Sequence, residues 1–234
     1  LAAICTVVLV LSVVALALTY PFDKSRRFVH EMSRYLAQSF LLPFPRRVEG
    51  LEHVDPSGRY VIVLNHQAMV DIGALYYVPL NFRWVSKREV FRIPFFGQFL
   101  LVHGDIRIDR GRAAEALEQL LRSGKLWLSR GASVAIFPEG TRSKDGEIHR
   151  FKAGAFTLAR EAGAAILPVV LDGTPGVICR NRLFRWRNRI TVKVLPPVPA
   201  SEVAAADTHA LMDAVRERMV AALGEVRARR APNR

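Results

Sequence analysis

Cysteine is nearly absent from this sequence: Cys5 and Cys179 are the only two among 234 residues. Two cysteines cannot form the multi-bridge framework of a small secreted domain, and neither has the neighbours that complete a zinc site. The chain also lacks internal repeats of solenoid length and low-complexity tracts. Because half of its residues are hydrophobic, we expect an ordered protein with a buried core. The scarcity of cysteine makes a reducing compartment the expected one.

Acidic residues are scarce: 21 Asp and Glu oppose 34 Lys and Arg, for a net charge of +13. Arginine supplies 28 of the cations, and its planar guanidinium suits phosphate and carboxylate groups. Nucleic acid, an anionic membrane surface and a phosphorylated substrate are all compatible with this charge. The sequence has no zinc finger, RNP-type strand or evident recognition helix. We therefore do not expect a nucleic-acid partner, and an RNA-binding domain stays an alternative.

Several site motifs are also missing. The sequence contains no GxxxxGK[ST] phosphate loop, no GxGxxG turn and no HExxH helix. His, Cys and acidic residues show no metal-ligand spacing either. We expect an enzyme, if this is one, to work without a resident metal or cofactor.

Charge is absent from the segment Leu1–Tyr20, and about 20 apolar residues suffice to cross a bilayer as one helix. Lys24, Arg26 and Arg27 follow it, and a basic flank of this kind stays in the cytoplasm. Ala15-Leu16-Ala17 would suit a signal-peptide cleavage site, although no basic region precedes the apolar run. We predict a membrane-anchoring segment over residues 1–45 of a protein at the cell (inner) membrane. The catalytic part, residues 46–234, would face the cytoplasm.

Residues 28–42 show a different pattern, with apolar side chains at helical spacing and polar ones between them. This spacing predicts an amphipathic helix that ends before Pro43 and Pro45. Such a helix would lie in the membrane interface or pack on the globular domain, and periodicity does not decide between the two.

Short apolar runs alternate with helical patterns from Arg46 onward. The runs predict strands at Tyr60–Leu64, Phe82–Ser86, Asp105–Asp109, Ser133–Phe137, Ala165–Leu171 and Ile190–Leu195. Strands that alternate with helices indicate an α/β fold, with a largely parallel (mixed) sheet flanked by helices. Ligands of such sheets bind beyond the carboxyl ends of strands, so the loops after Leu64, Ile108 and Phe137 are the expected site.

The first of these loops contains His66 and, five residues later, Asp71. A histidine acts as a general base near neutral pH, and a carboxylate orients it and stabilises its charged form. On one continuous helix the two side chains would diverge by about 140°. They meet only if His66 lies in the turn and Asp71 on the next helix; otherwise they are an exposed histidine and an unrelated acid.

The other two loops supply groups suited to phosphate. In Phe137–Ser143 (FPEGTRS), Gly140 permits a tight turn and Arg142 offers a guanidinium fork, while Glu139 would position a hydroxyl or an arginine. Arg110 follows the predicted strand at Asp105–Asp109. An ordinary strand-to-helix turn with surface charges would show the same residues.

In this order, the motifs resemble the glycerolipid acyltransferase family, which contains the 1-acylglycerol-3-phosphate (lysophosphatidate) acyltransferases. Asn65-His66-x4-Asp71 is similar to its catalytic motif, and Gly104–Arg110 to its second block. Phe137–Ser143 matches the third block throughout, and Ile166–Val169 the proline-containing fourth. Ala68 and Met69 depart from the usual Ser and aromatic residue of the first block, without removing a catalytic group.

The resemblance implies an α/β acyltransferase without a cofactor, which uses acyl-CoA or acyl-carrier protein as co-substrate. His66 and Asp71 would be catalytic, and the acceptor would contact Arg110, Glu139, Gly140, Thr141 and Arg142. We expect acylation of membrane lysophosphatidate to phosphatidate in phospholipid biosynthesis. The same chemistry on glycerol-3-phosphate, another lysophospholipid or an aminolipid is the close alternative, and a non-catalytic membrane-binding protein is a more distant one.

Overall fold

The computed structural model describes residues 2–109, 111–177, 185 and 187–230. Within them lie seven strands: β1 (Arg46–Glu49), β2 (Tyr60–Leu64), β3 (Phe82–Lys87), β4 (Ile106–Ile108), β5 (Ser133–Ile136), β6 (Ala165–Asp172) and β7 (Ile190–Val194). They form one sheet in the order β1-β7-β6-β2-β5-β3-β4. All neighbours are parallel except β6 and β7, which are antiparallel. This confirms the predicted mixed α/β sheet.

Eight α-helices surround the sheet in the described residues: α1 (Ala2–Thr19), α2 (Arg27–Leu41), α3 (Val70–Ala74), α4 (Phe96–His103), α5 (Ala113–Ser129), α6 (Gly154–Ala162), α7 (Ala200–Ala205) and α8 (Thr208–Arg230). Short 3-10 turns lie at Leu51–His53, Leu75–Tyr77, Arg88–Arg92 and Thr174–Gly176. The helix predicted over residues 28–42 is confirmed as α2. Strand β1 was not predicted, because its sequence RRVE has no apolar run and only pairing with β7 makes it a strand.

The alternating side chains of β2 show why both faces of the sheet are covered. Val61 and Val63 point into one core with residues of α5, α6 and α8. Ile62 and Leu64 point into the opposite core with α3 and with Leu41 at the end of α2. All five residues of β2 are buried, as is typical of a central parallel strand between two helical layers.

The strand order decides where the loops meet. Strands β2 and β5 are parallel neighbours, and β3 lies beside β5. Because parallel strands end at the same edge, the loops after Leu64, Lys87 and Ile136 lie together there. This edge holds the candidate site.

The first two helices, which we call the N-terminal helix pair (α1 and α2), pack on α4 and α3. One face of α2 buries Val29 and His30, while Phe28 and Tyr35 are exposed on the other. Helix α1 exposes apolar side chains including Leu18. In the part of the chain that the structure describes, no helix combines the length and the apolar character needed to cross a membrane. The anchoring role of residues 1–45 stays a prediction.

Candidate active site

Strand β2 ends in a turn that Asn65 fixes to the neighbouring strand. The buried Asn65 amide donates through Nδ2 to the Leu171 carbonyl (2.9 Å) and accepts the Leu171 N–H at Oδ1 (2.8 Å). This two-way bond resembles the pairing between strands and carries the chain past the sheet edge. His66 comes next, at the carboxyl end of the strand.

His66 and Asp71 meet, which is the first of the two alternatives that their spacing left open. His66 lies in the turn, Asp71 lies in the first turn of α3, and Nδ1 of the imidazole is 2.8 Å from Asp71 Oδ2. The same oxygen accepts the backbone N–H groups of Gln67 (2.6 Å) and Ala68 (2.7 Å). Since a carboxylate only accepts, this contact favours the tautomer of the neutral imidazole in which Nδ1 bears the hydrogen and Nε2 is the acceptor.

Two stacked aromatic rings lie behind the imidazole. The ring of Phe137, directly after β5, stacks on His66 with centroids 3.9 Å apart and planes inclined by 14°. Trp84 of β3 also stacks on Phe137, with centroids 5.1 Å apart and planes inclined by 16°. Three neighbouring strands thus contribute one ring each to a single stack.

Glu139 binds backbone rather than side chains. Its Oε1 accepts the N–H of His66 (3.0 Å), and its Oε2 accepts the N–H of His149 (3.1 Å). Burial raises the pKa of this carboxyl, and the two N–H donors oppose that rise. The Ser143 N–H adds a bond to the His66 carbonyl (2.8 Å). The loop after β5 is therefore bonded to both backbone groups of His66.

Gly140 makes the turn that follows. Its φ of +78° lies in the left-handed region, and a Cβ there would lie 3.1 Å from Lys152 Nζ. The positive φ favours glycine, whereas the end of the flexible Lys152 side chain could move aside. The turn brings the exposed side chains of Thr141 and Arg142 to the mouth of the site.

A cavity of about 650 Å³ opens beside His66. Its walls include Thr141, Arg142 and Ser143 from the predicted loop, and two cations that the sequence reasoning missed, Lys87 and Lys144. Lys87 stands at the carboxyl end of β3, so the strand-end rule that selected His66 would have found it. Glu139 is not among the lining residues, and Arg110 lies outside the described residues.

A second cavity of about 290 Å³ adjoins the first and shares Val85, Phe137 and Gly140 with it. Its other walls are mostly aliphatic, from Ile108, Ala113, Ala116, Leu117, Leu120 and Ile136. Among the described residues, His, Cys, Asp and Glu form no group of three able to hold a metal ion. The site thus joins a histidine–aspartate pair, a cationic rim and an apolar recess.

An α/β sheet with these groups at its edge is the arrangement that the resemblance to acyltransferases leads us to expect. The family described as Acyltransferase matches residues 45–172, which include His66, Asp71 and the whole Phe137–Ser143 loop. The chain belongs to this acyltransferase family, which confirms the predicted resemblance.

Individual relatives narrow the comparison. The chain is 34% identical over 180 residues to 1-acyl-sn-glycerol-3-phosphate acyltransferase alpha of Ovis aries, covering 76% of this chain and 63% of the relative. It is 38% identical over 172 residues to the chloroplastic 1-acyl-sn-glycerol-3-phosphate acyltransferase LPAT1 of Arabidopsis thaliana, covering 72% and 48%. The chain therefore spans less than two thirds of these relatives.

A solved structure has the same fold along nearly the whole chain. The 1-acyl-sn-glycerophosphate (LPA) acyltransferase PlsC from Thermotoga maritima superposes with a TM-score of 0.71 at 24% identity. The match covers 97% of this chain and 98% of that protein.

Proposed function

We propose that this protein transfers an acyl group from a thioester to the free sn-2 hydroxyl of 1-acylglycerol-3-phosphate, giving phosphatidate. The observation that carries the proposal is the 2.8 Å His66–Asp71 contact beside a cavity with a cationic rim. The names of the relatives support the same acceptor.

His66 is the general base in this proposal. Nε2 takes the hydroxyl proton as the oxygen attacks the thioester carbonyl, and Asp71 stabilises the imidazolium that forms. The tetrahedral intermediate then expels the thiolate, which receives the proton from His66. Acyl transfer is direct, so no enzyme nucleophile is needed. A base of this kind contributes about 10²- to 10⁴-fold to the rate.

The cationic rim binds the acceptor's phosphate. Arg142 offers a bidentate fork, and Lys87 and Lys144 line the same cavity as point charges. Gly140 and Thr141 shape that loop, and the resemblance to the family adds Arg110. Fixing the phosphate places the hydroxyl near Nε2, which reduces the entropy lost in reaching the transition state.

The apolar recess beside Phe137 suits an acyl chain. An acyl chain that enters between its aliphatic walls leaves water, and each CH₂ buried there stabilises the complex by about 0.8 kcal/mol. The donor is acyl-CoA or acyl-carrier protein, whose phosphates or acidic residues are complementary to the net positive charge of this protein.

The N-terminal helix pair holds the enzyme at the membrane that contains the acceptor. Leu18 and Phe28 are exposed, and the exposed basic residues Lys24 and Arg27 lie between them. Apolar side chains beside cations are typical of surfaces that bind anionic lipid. We propose the cytoplasmic face of the cell membrane as the location.

A direct assay tests the function. Purified protein in detergent is incubated with labelled acyl-CoA or acyl-carrier protein and a panel of acceptors: lysophosphatidate, glycerol-3-phosphate, other lysophospholipids, an aminolipid and monoacylglycerol. Mass spectrometry is expected to find phosphatidate as the main product. A preference for another acceptor would show that lysophosphatidate is not the substrate. Lipid binding without any product would favour the non-catalytic alternative.

A further inference from the structure

One loop contacts the proposed base at three different points. The Phe137 ring covers one face of the imidazole, Glu139 Oε1 accepts the His66 N–H, and the Ser143 N–H donates to the His66 carbonyl. We call these three residues the histidine clamp. Asp71, in α3, adds a fourth contact at Nδ1. Together they restrain the backbone, the ring plane and the tautomer of His66.

Glu139 is badly placed to bind a phosphorylated acceptor. Its side chain is buried, both carboxylate oxygens face backbone N–H groups, and it does not line the 650 Å³ cavity. A carboxylate beside a phosphate would also repel it. Its two partners, His66 and His149, flank the loop that contains Arg142, so the carboxylate fixes that loop to the base.

Phe137 controls the plane of the base. A single hydrogen bond from Nδ1 to Asp71 leaves the imidazole free to tilt about that bond. The stacked Phe137 ring at 3.9 Å, itself backed by Trp84, removes this freedom. When Nε2 takes up a proton, the imidazolium lies on the electron-rich face of the ring, which attracts cations.

From these contacts we propose that Glu139 and Phe137 are positioning residues that act on the reaction through His66. Glu139 lies outside both cavities, whereas Phe137 also lines them. The proposal rests on the proposed function for its kinetic test. A misplacement of about 1 Å costs roughly 10²-fold in rate, so loosening the base lowers kcat. Recognition of the acceptor's phosphate depends on Arg142, Lys87 and Lys144, so we expect little change in the KM for lysophosphatidate.

Glu139→Gln and Phe137→Leu test this. Glutamine has one acceptor oxygen and turns its NH₂ toward one of the two backbone N–H groups. We expect kcat to fall about tenfold or more in each variant, with the KM for lysophosphatidate within about twofold of wild type. Phe137→Tyr keeps the ring and is expected to retain most of kcat. A raised KM at unchanged kcat would show that these residues bind substrate and would overturn the proposal.

Matched controls separate positioning from general stability. Glu147→Gln removes an exposed carboxylate from the same loop, where it pairs with Arg227. Phe156→Leu removes a buried ring that stacks on Phe151 in the core. Both are expected to keep wild-type kcat. Equal losses in the controls and the clamp variants would overturn a specific role.

NMR of ¹⁵N-histidine-labelled protein tests the clamp without turnover. The His66 signals are assigned by their loss in His66→Ala. Wild type is expected to show one Nδ1–H tautomer, and Phe137→Leu and Glu139→Gln a tautomer mixture or broadened signals. If no acceptor is acylated, the proposed function fails while this measurement still judges the clamp. If Glu139→Gln does not fold, the comparison of Phe137→Leu with Phe137→Tyr tests the positioning role. Unchanged His66 signals in Phe137→Leu would refute the proposal.

Discussion

The ring nitrogens Nδ1 of His30 and Nε2 of His103 lie 3.2 Å apart, and neither side chain has exposed surface. They join α2 of the N-terminal helix pair to the end of α4. His103 Nδ1 is in turn 2.8 Å from Asp105 Oδ1, which also accepts the Trp84 N–H. Burial lowers the pKa of both histidines, and the nearby Arg83 lowers them further. Both imidazoles are therefore neutral in the folded protein near neutral pH.

This histidine pair predicts that acid destabilises the protein. The folded pKa values lie below the ordinary 6.5, so each histidine contributes stability that is present above pH 6.5. As the pH falls from 6.5 towards the folded pKa, the unfolded chain takes up protons first. For each histidine, the free energy of unfolding then decreases by about 1.4 kcal/mol for every pH unit. Urea unfolding at several pH values between 7.5 and 5.5 measures this slope of the free energy of unfolding against pH. His30→Phe should reduce the slope, and an unchanged slope would contradict the assignment.

Loss of the base should abolish most turnover. We expect His66→Ala to lower kcat by about 10²-fold or more, because Nε2 no longer accepts the hydroxyl proton. Asp71→Asn should lose less, since the imidazole remains but its Nδ1–H loses an anionic partner. Steady-state kinetics on variants with wild-type circular dichroism measure both. Near-normal turnover by folded His66→Ala would rule out the mechanism.

Arg142 should discriminate between acceptors with and without phosphate. Lysine keeps the charge but not the fork, so Arg142→Lys should lose kcat/KM on lysophosphatidate and Arg142→Ala should lose more. The loss should shrink with monoacylglycerol, which has no phosphate, and wild type should use that acceptor poorly. The measurement is kcat/KM for both acceptors. Equal proportional losses would mean that Arg142 supports the loop rather than contacting phosphate.

Membrane binding should depend on the exposed apolar side chains of the N-terminal helix pair. We expect Leu18→Asp and Phe28→Asp to weaken co-sedimentation with anionic phospholipid vesicles about tenfold or more, because each puts a charge where an exposed apolar side chain would enter the lipid. Leu126→Asp, at an exposed apolar position of α5, is the control and should bind like wild type. If Leu18→Asp and Phe28→Asp bind vesicles as well as Leu126→Asp does, the membrane contact lies elsewhere on the protein.

Several elements of the fold could be read from local sequence. The apolar run Tyr60–Leu64 matches β2 at both ends, and the alternative that His66 and Asp71 are unrelated is excluded by their 2.8 Å contact. Apolar runs and residue spacings of this kind involve only a few neighbouring residues, so the local sequence is enough to predict the element. Strand β1 escaped prediction because its polar residues become a strand only through a partner more than 140 residues away.

The sequence by itself determined that this is an α/β protein with a histidine and an aspartate at one strand end, followed by a loop with glycine and arginine. Only the tertiary structure decided what those side chains face. The loop sequence of Phe137 and Glu139 does not say that a ring stacks on His66 or that a carboxylate turns inward to its backbone. Those directions depend on β5 pairing beside β2. That pairing is long-range, because it joins residues as distant in the sequence as Val61 and Val134. It is stabilised by the helices that bury both faces of the sheet.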